Sequence, residues 1–548
     1  MVNNESLFPF QIQNNYQKRV AYFSMEYALD QSLKIYSGGL GFLAGSHLRS
    51  AYDLKQNLFA IGILWKFGYY DQIRDIQGNM QVHFTPKEYS FLKDTGVKFK
   101  LEIHGSPVWV KAYLLEPEIF GSAPLFLLST DIEENDLLSR TITHRLYDPI
   151  EATRIAQSMV LGIGGAMLID ILNLNPDVYH MNEGHSVPLN FYLYSKLKNL
   201  EEVRKKVVFT THTPELAGNE EHSYSLLSEM SFFFHLQDHE VKSILDLEGE
   251  RFNYTLAALK FSRIANGVSK LHGEVARQMW NSYPGICPIK SITNAQNKKY
   301  WADKEFDKAL KDDHNEQLIS RKMEMKLDLF KRIADQSGKM FRPEILTMVW
   351  ARRFAGYKRA DLLLSRWDDF MSLVQNQEFP IQIIWAGKPY PEDFGAIDIF
   401  NKLISKTRDL PNCTVLTGYE LELSALLKKG SDIWLNNPRL YREASGTSGM
   451  TAAMNGSINL SIPDGWVPEF CRMDKNSFLI ETAPDDLKPE TKDEIEANNL
   501  ILALKNHIIP LYYSNQNAWL EILKTAAREI VPEFDSDRMV HEYYELIY

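Results

Sequence analysis

The residues best suited to chemistry lie in five short segments, each at the end of a buried-strand pattern or the start of a helical one. The most specific is LNNPRLYREASGTSGMTAAMNGSINLSIPDGW, residues 435–466. Glu443 stands directly before Ala-Ser-Gly-Thr-Ser-Gly and a helix. Consecutive backbone N–H groups at a helix start suit an anion, and a carboxylate beside them suits sugar hydroxyls. A plain Ser/Gly turn would not need that acid. The second segment is ARRFAGYKR, residues 351–359, directly after ILTMVW. A run of cations is usually a solvated face. This one follows a strand, where an α/β sheet binds ligands, so Arg353 and Lys358 are expected to bind a phosphate or pyrophosphate.

In TTHTPELAGNEEHS, residues 210–223, His212 ends the strand pattern VVFTT, and a loop rich in Thr and Pro is a poor core. Ligand contact is the reading there. In YHMNEGHS, residues 179–186, His180 and His185 are five apart, the wrong phase for one helical face, so no metal site is expected. Hydrogen bonding to a polyhydroxylated ligand suits Glu183 and His185 better. In YSGGLGFLAGSH, residues 36–47, Gly38, Gly39 and Gly41 allow close backbone approach to an anion or sugar. This is neither a GxGxxG fingerprint nor a Walker loop.

These loops need a scaffold of strands alternating with helices. VVFTTH (207–212), ILTMVW (345–350), IQIIWAG (381–387) and SINLSI (457–462) read as buried strands. With helical patterns between them they predict α/β lobes with parallel sheets. The helical stretch 303–338 ends at Gly338, and a lobe boundary is placed there. The expected organisation is an N-terminal acceptor-side lobe over 1–300, a helical connection over 301–340, a donor and phosphate lobe over 341–510, and helices over 511–548 packing back across the lobes. The length of 548 residues is too great for one core, and 45% hydrophobic with 24% charged residues is ordinary for a globular chain. A net charge of -11 argues against nucleic acid. Cys287, Cys413 and Cys471 have no disulfide or zinc spacing, and the N-terminus has no signal pattern, so a cytoplasmic location is expected. The apolar stretch 159–172 is interrupted by Asp170 and reads as a buried helix, so no membrane partner is expected.

The motifs AYFSMEYALDQSLKIYSGGLGFLAG, GYYDQ, HMNEGHS, FTTHTP, ITN, RRFAGYKR, WAGK, WLNNPR, EASGTSGM and NGSINLSIPDGW follow one another in order over roughly residues 20–470. In them the chain resembles the α-glucan (glycogen/maltodextrin) phosphorylases, particularly the short bacterial and archaeal branch. The resemblance implies a GT-B fold, two Rossmann-like lobes with a cleft between them, and retaining transfer of glucose between an α-1,4-glucan and phosphate. It implies that Gly39 contacts the donor phosphate and that His212, with Asn294 beside it, hydrogen-bonds the sugar near C6. Arg353 and Lys358 would hold phosphate, and Glu443, Ser445 and Gly446 the 3- and 4-hydroxyls. Trp301, Tyr419 and Thr447 would line the cofactor pocket.

One departure dominates. Where the family reads EASGTSGMK, with its lysine bound to pyridoxal phosphate (PLP), this chain has Thr451. Threonine has no amine and makes no imine. Covalent PLP is therefore excluded and no cofactor is expected, with non-covalent PLP left open. Ala295, Gln296 and Asn297 after ITN, and Thr417 to Glu420, also depart from the family pattern. The leading expectation is a PLP-independent retaining glycosyltransferase taking a hexose from a nucleotide sugar to a carbohydrate or small-molecule acceptor, with His212, Arg353, Lys358 and Glu443 as its catalytic set. The alternatives are a phosphorylase with altered PLP binding and an inactive glucan-binding or regulatory protein. Family members often dimerise, which leaves a homodimer open.

Overall fold

The computed structural model describes residues 7–247 and 249–548. The chain divides into two compact units. The first comprises residues up to Tyr70, Phe84–Asn297 and Ser536–Tyr548; the second comprises Asp71–His83 and Lys298–Asp535.

Among the described residues, the first unit's principal sheet has nine strands. Their spatial order is Ile289–Ser291, Ile264–Gly267, Val207–Thr210, Val178–Asn182, Val20–Phe23, Leu58–Ile63, Leu125–Ser129, Ser106–Leu115 and Lys93–Ile103. The first seven are mutually parallel, and the last two pair antiparallel. Central strands such as Val20–Phe23, Leu58–Ile63 and Val178–Asn182 are buried at every position, as strands covered on both faces must be. The long antiparallel pair instead alternates buried and exposed residues.

The second unit has a six-stranded sheet, all parallel, in the spatial order Cys413–Leu416, Ile381–Ala386, Leu346–Ala351, Ile433–Asn436, Ile458–Ser461, Ser477–Leu479. Counted along the chain this is 3-2-1-4-5-6, the doubly wound order. The parallel strands of the first unit follow the same rule, with the first and fourth adjacent. In such sheets ligands bind outside the carboxyl ends of the strands where the order reverses. Those points are the ends of Val20–Phe23 and Val178–Asn182 in one unit, and of Leu346–Ala351 and Ile433–Asn436 in the other.

The strands predicted from sequence lie within one or two residues of those observed. The helical stretch after residue 303 is two helices, Lys304–Lys311 and Asn315–Ser337, interrupted at Asp313 with φ 52°. The second ends at Gly338, in the left-handed conformation with φ 68°. The apolar stretch near residue 160 belongs to a helix running over Glu151–Ile171, and 78% of its most apolar window is buried. All three cysteines are free thiols.

Candidate functional site

In the second unit the chain leaves strand Leu346–Ala351 at Arg352 and Arg353, then forms a short turn, Gly356–Lys358. Lys358 Nζ lies 2.5 Å from Glu443 Oε2, and Arg352 Nη1 lies 3.3 Å from the same oxygen. Arg352 and Lys358 are buried, and the Glu443 side chain is 10% exposed. Arg353, one residue on, is exposed. Burial pushes the Glu443 carboxyl up, but the charges of Lys358, Arg352 and Arg353 outweigh it and hold the group below the usual range. Glu443 is therefore a carboxylate, with both cation contacts on one oxygen.

Asp464 holds the loop in place by accepting the backbone N–H groups of Arg442 and Glu443 on Oδ2 at 3.0 and 2.9 Å. Gly465 N–H reaches Oδ1 at 2.8 Å. Burial raises this carboxyl, the Glu443 charge adds to the rise, and its pKa reaches about 6 despite the backbone donors. Gly446 has φ 86°, and an added Cβ would lie 3.1 Å from Glu443 Cγ. Gly465 has φ 60°, and a Cβ there would meet Ser445 O at 2.3 Å. Two glycines thus let the 443–446 loop fold tightly against 464–465. Ser445 Oγ and Arg352 Nε are buried with no hydrogen-bond partner among the described residues.

Of the residues expected to line a cofactor pocket, Trp301, Tyr419 and Thr451 are packed into the core and Thr447 is half-buried. Thr451 is fully buried, and its hydroxyl donates to Ser448 O at 3.0 Å within the short helix Ser448–Ala453 that Thr447 precedes. Trp301 is buried, with the Lys428 amine 3.5 Å from its ring centroid. Tyr419 belongs to a hydrophobic cluster with Val349, Ile384 and Ala452, and its hydroxyl donates to Ala351 O at 3.4 Å.

In the first unit, strand Val178–Asn182 ends at Glu183, whose φ 70° and ψ 169° are a conformation nearly reserved for glycine. The strained turn aims its carboxylate along the neighbouring strand end. Glu183 Oε1 accepts His212 N–H at 2.5 Å and the Thr213 hydroxyl at 3.1 Å. Burial raises the Glu183 carboxyl above its ordinary value, and His185 and these donors oppose the rise. His212 Nε2 lies 2.7 Å from Asn182 Oδ1, which makes Nε2 the protonated nitrogen and Nδ1 the acceptor. Burial, with His272 and His185 adding, lowers His212 to about 3, so the ring is neutral at physiological pH. His185 Nδ1 and Asn294 Oδ1 are buried without a hydrogen-bond partner among the described residues. His180 is an interior strand residue bonded to the Tyr548 hydroxyl at 2.7 Å and to Thr210 at 2.8 Å.

Gly39 opens the helix Gly39–Asp53 and has open space around it. Its neighbours are committed: Glu26 Oε2 accepts Ser37 N–H at 2.6 Å and Gly38 N–H at 3.1 Å. Gly41 and Gly45 serve packing, since a Cβ would meet Glu26 Oε2 at 2.7 Å and Ala28 O at 2.1 Å. Sequence reasoning singled out neither Glu26, Asp464 nor Arg352. All three lie inside quoted motifs, but only folding brings Asp464 and Arg352 onto the Glu443 loop and Glu26 onto the Ser37–Gly38 turn. Among the described residues no group of three His, Cys, Asp or Glu side chains is arranged to hold a metal ion.

One set of strand-end loops carries two buried cations around the Glu443 carboxylate, and the other carries polar side chains around the Glu183 carboxyl. The family model described as carbohydrate phosphorylase matches residues 250–480. The chain is 35% identical to maltodextrin phosphorylase of Thermococcus litoralis, over 97% of this chain and 71% of that protein. It is 30% identical to glycogen phosphorylase of Aquifex aeolicus, over 98% and 87%. An uncharacterized protein of Methanocaldococcus jannaschii is 47% identical over 97% of this chain and its whole length. The chain belongs to the carbohydrate phosphorylase family.

Proposed function

We propose that this chain is a retaining hexosyltransferase that works without a PLP imine, on a donor whose leaving group carries phosphate. The observation that carries the reading is the Lys358–Arg352–Glu443 cluster at the strand-order reversal of the second unit, with Arg353 exposed beside it. The residues present do not fit imine-linked PLP: Thr451 has no amine, and its hydroxyl is spent on its own helix.

A GT-B arrangement is part of the proposal, with residues 1–300 serving the acceptor and sugar and 341–510 the leaving group. The acceptor hydroxyl attacks C1 from the leaving-group side. The new C–O bond forms as the bond from C1 to the phosphate oxygen breaks, and the hydroxyl proton passes to a phosphate oxygen. Arg353 and Lys358 stabilise the charge that develops there. Glu443, whose Oε2 faces Lys358 and Arg352, accepts a sugar hydroxyl on Oε1, with Ser445 and Gly446 beside it. His212 offers a neutral acceptor to the hexose and carries no proton through the step. His185, Asn294 and Ser445 each keep a buried polar atom without a partner among the described residues, which a polyhydroxylated ligand would satisfy. That argues against an inactive scaffold.

A second reading, phosphorolysis of a glucan with altered PLP binding, is favoured by the relatives named maltodextrin and glycogen phosphorylase. A thermal-shift screen against nucleotide sugars, nucleoside diphosphates, glucose-1-phosphate and PLP tests both. The leading reading expects a shift with a phosphate-bearing donor that is lost in Arg353→Ala and Lys358→Ala. A response to PLP alone, with spectroscopic signs of bound pyridoxal, would replace it with the second. Variants that respond like the parent would remove the leaving group from this loop.

A further inference from the structure

The missing amine at Thr451 has a counterpart nearby in the second unit. The helix Leu421–Gly430 packs against the helix Ser448–Ala453 that carries Thr451. Asn455, fully buried, ties Thr451 to Trp301: its Nδ2 donates to Trp301 O at 2.9 Å and to Thr451 O at 2.8 Å. The Tyr419 hydroxyl accepts the Ser424 hydroxyl at 3.3 Å. Lys428 follows Ser424 by four residues and so lies on the same helix face, one turn on. The Ser457 hydroxyl donates to Lys428 O at 2.9 Å and fixes its backbone. From there the side chain carries its amine to 3.5 Å from the centroid of the Trp301 ring.

Lys428 is 2% exposed, and burial pushes its amine well below the ordinary lysine range. A leucine would cover the Trp301 ring without burying an amine, so plain packing does not call for lysine at this position. The Tyr300 ring meets Trp301 edge-on at 5.1 Å, and Trp301 as a whole is 2% exposed. A flat heteroaromatic ring that used Trp301 as a wall would have to displace one of these neighbours.

We propose that Lys428 stands where a pyridine cofactor would stack, its side chain filling the space against Trp301 so that the chain takes PLP neither as an imine nor non-covalently. The inference rests on the imine-free reading of the same site and deepens it, since that reading leaves non-covalent PLP open.

Absorbance and fluorescence titration of the full chain with PLP tests it, followed by borohydride reduction and peptide mass spectrometry. The forms compared are the parent, Lys428→Ala, Thr451→Lys and the two substitutions combined. Surface lysines that trap PLP in every form set the background. The parent and Thr451→Lys are expected to show background only. Lys428→Ala is expected to bind PLP at least tenfold more tightly than the parent, with quenched tryptophan emission, and the combined variant to trap an adduct at position 451. PLP held by the parent without an adduct overturns the inference and leaves imine-free transfer standing. An adduct trapped on Lys428 of the parent removes both. An adduct at position 451 in Thr451→Lys alone shows that Lys428 does not fill the space and overturns the inference, as does a folded combined variant that binds no PLP. If the variants do not fold, the parent's own titration decides.

Discussion

Lys358 and Glu443 show at the level of single residues how the same charges serve folding and ligand binding. Removing one partner of a buried ion pair leaves the other desolvated and uncompensated, while removing both is often close to neutral. Lys358→Met is therefore expected to cost on the order of 2–3 kcal/mol, with Arg352 still facing the carboxylate, and adding Glu443→Leu should recover most of that loss. Chemical denaturation of the two single variants and the double variant measures this. Asp464 adds a pH signature. Its carboxyl is raised from 3.8 to about 6 in the folded protein. As pH rises from about 4 to about 6 the unfolded chain ionises first, so this group's contribution to stability falls by roughly 3 kcal/mol. The stability difference between Asp464→Asn and the parent should move in the variant's favour by that amount across the window, beneath a constant loss from two backbone N–H groups left without an acceptor. His212 runs the opposite way: lowered from 6.5 to about 3, it favours folding above 6.5 and loses that contribution as pH falls toward 3. A pH–rate profile should accordingly show no limb belonging to His212 between pH 5 and 8.

Elements decide which of these residues meet. Strands such as Ile381–Ala386 were legible because covered parallel strands are continuous apolar runs, and Gly338 was legible as a helix end because little else adopts that backbone conformation. The loops carrying His212, Lys358 and Glu443 were legible through motif spacing and their place after strands. Glu26 and Gln72 were not, because their partners at Ser37 and Gly38, or at Gly387 and Gly418, are set by tertiary packing that leaves no local pattern. The split between Arg352, turned inward, and Arg353, exposed, depends on the side-chain alternation where the strand runs out. The close approach of Gly465 to Ser445 belongs to this scale too. Gly465→Ala places a Cβ 2.3 Å from Ser445 O at positive φ, so the loop must move. A loss of about 2–4 kcal/mol is expected, together with a loss of donor-induced thermal shift. A thermal melt with and without glucose-1-phosphate checks both.

Over the whole molecule the chain crosses between units more often than a two-lobed protein requires. The helix Ser536–Leu546 belongs to the first unit. Within that unit Ser536 Oγ lies 2.6 Å from Ser50 Oγ, and the Tyr16 hydroxyl lies 3.0 Å from His541 Nδ1. Arg263 donates to Tyr548 O at 2.8 Å. Deleting residues 536–548 is expected to strip hydrogen-exchange protection from strands Val20–Phe23 and Val178–Asn182 while the 346–351 and 433–436 strands stay protected. Exchange measured by mass spectrometry on parent and truncated chain tests this.

The same interleaving orders events during synthesis. The first unit lacks its closing helix until residues 536–548 emerge from the ribosome, after the whole of the second unit has been made. The second unit, whose 71–83 hairpin is translated early, has every piece it needs by residue 535. The unit begun first is thus the one whose last segment is made last, and a chain released at residue 535 would hold every segment of the second unit and lack the closing helix of the first.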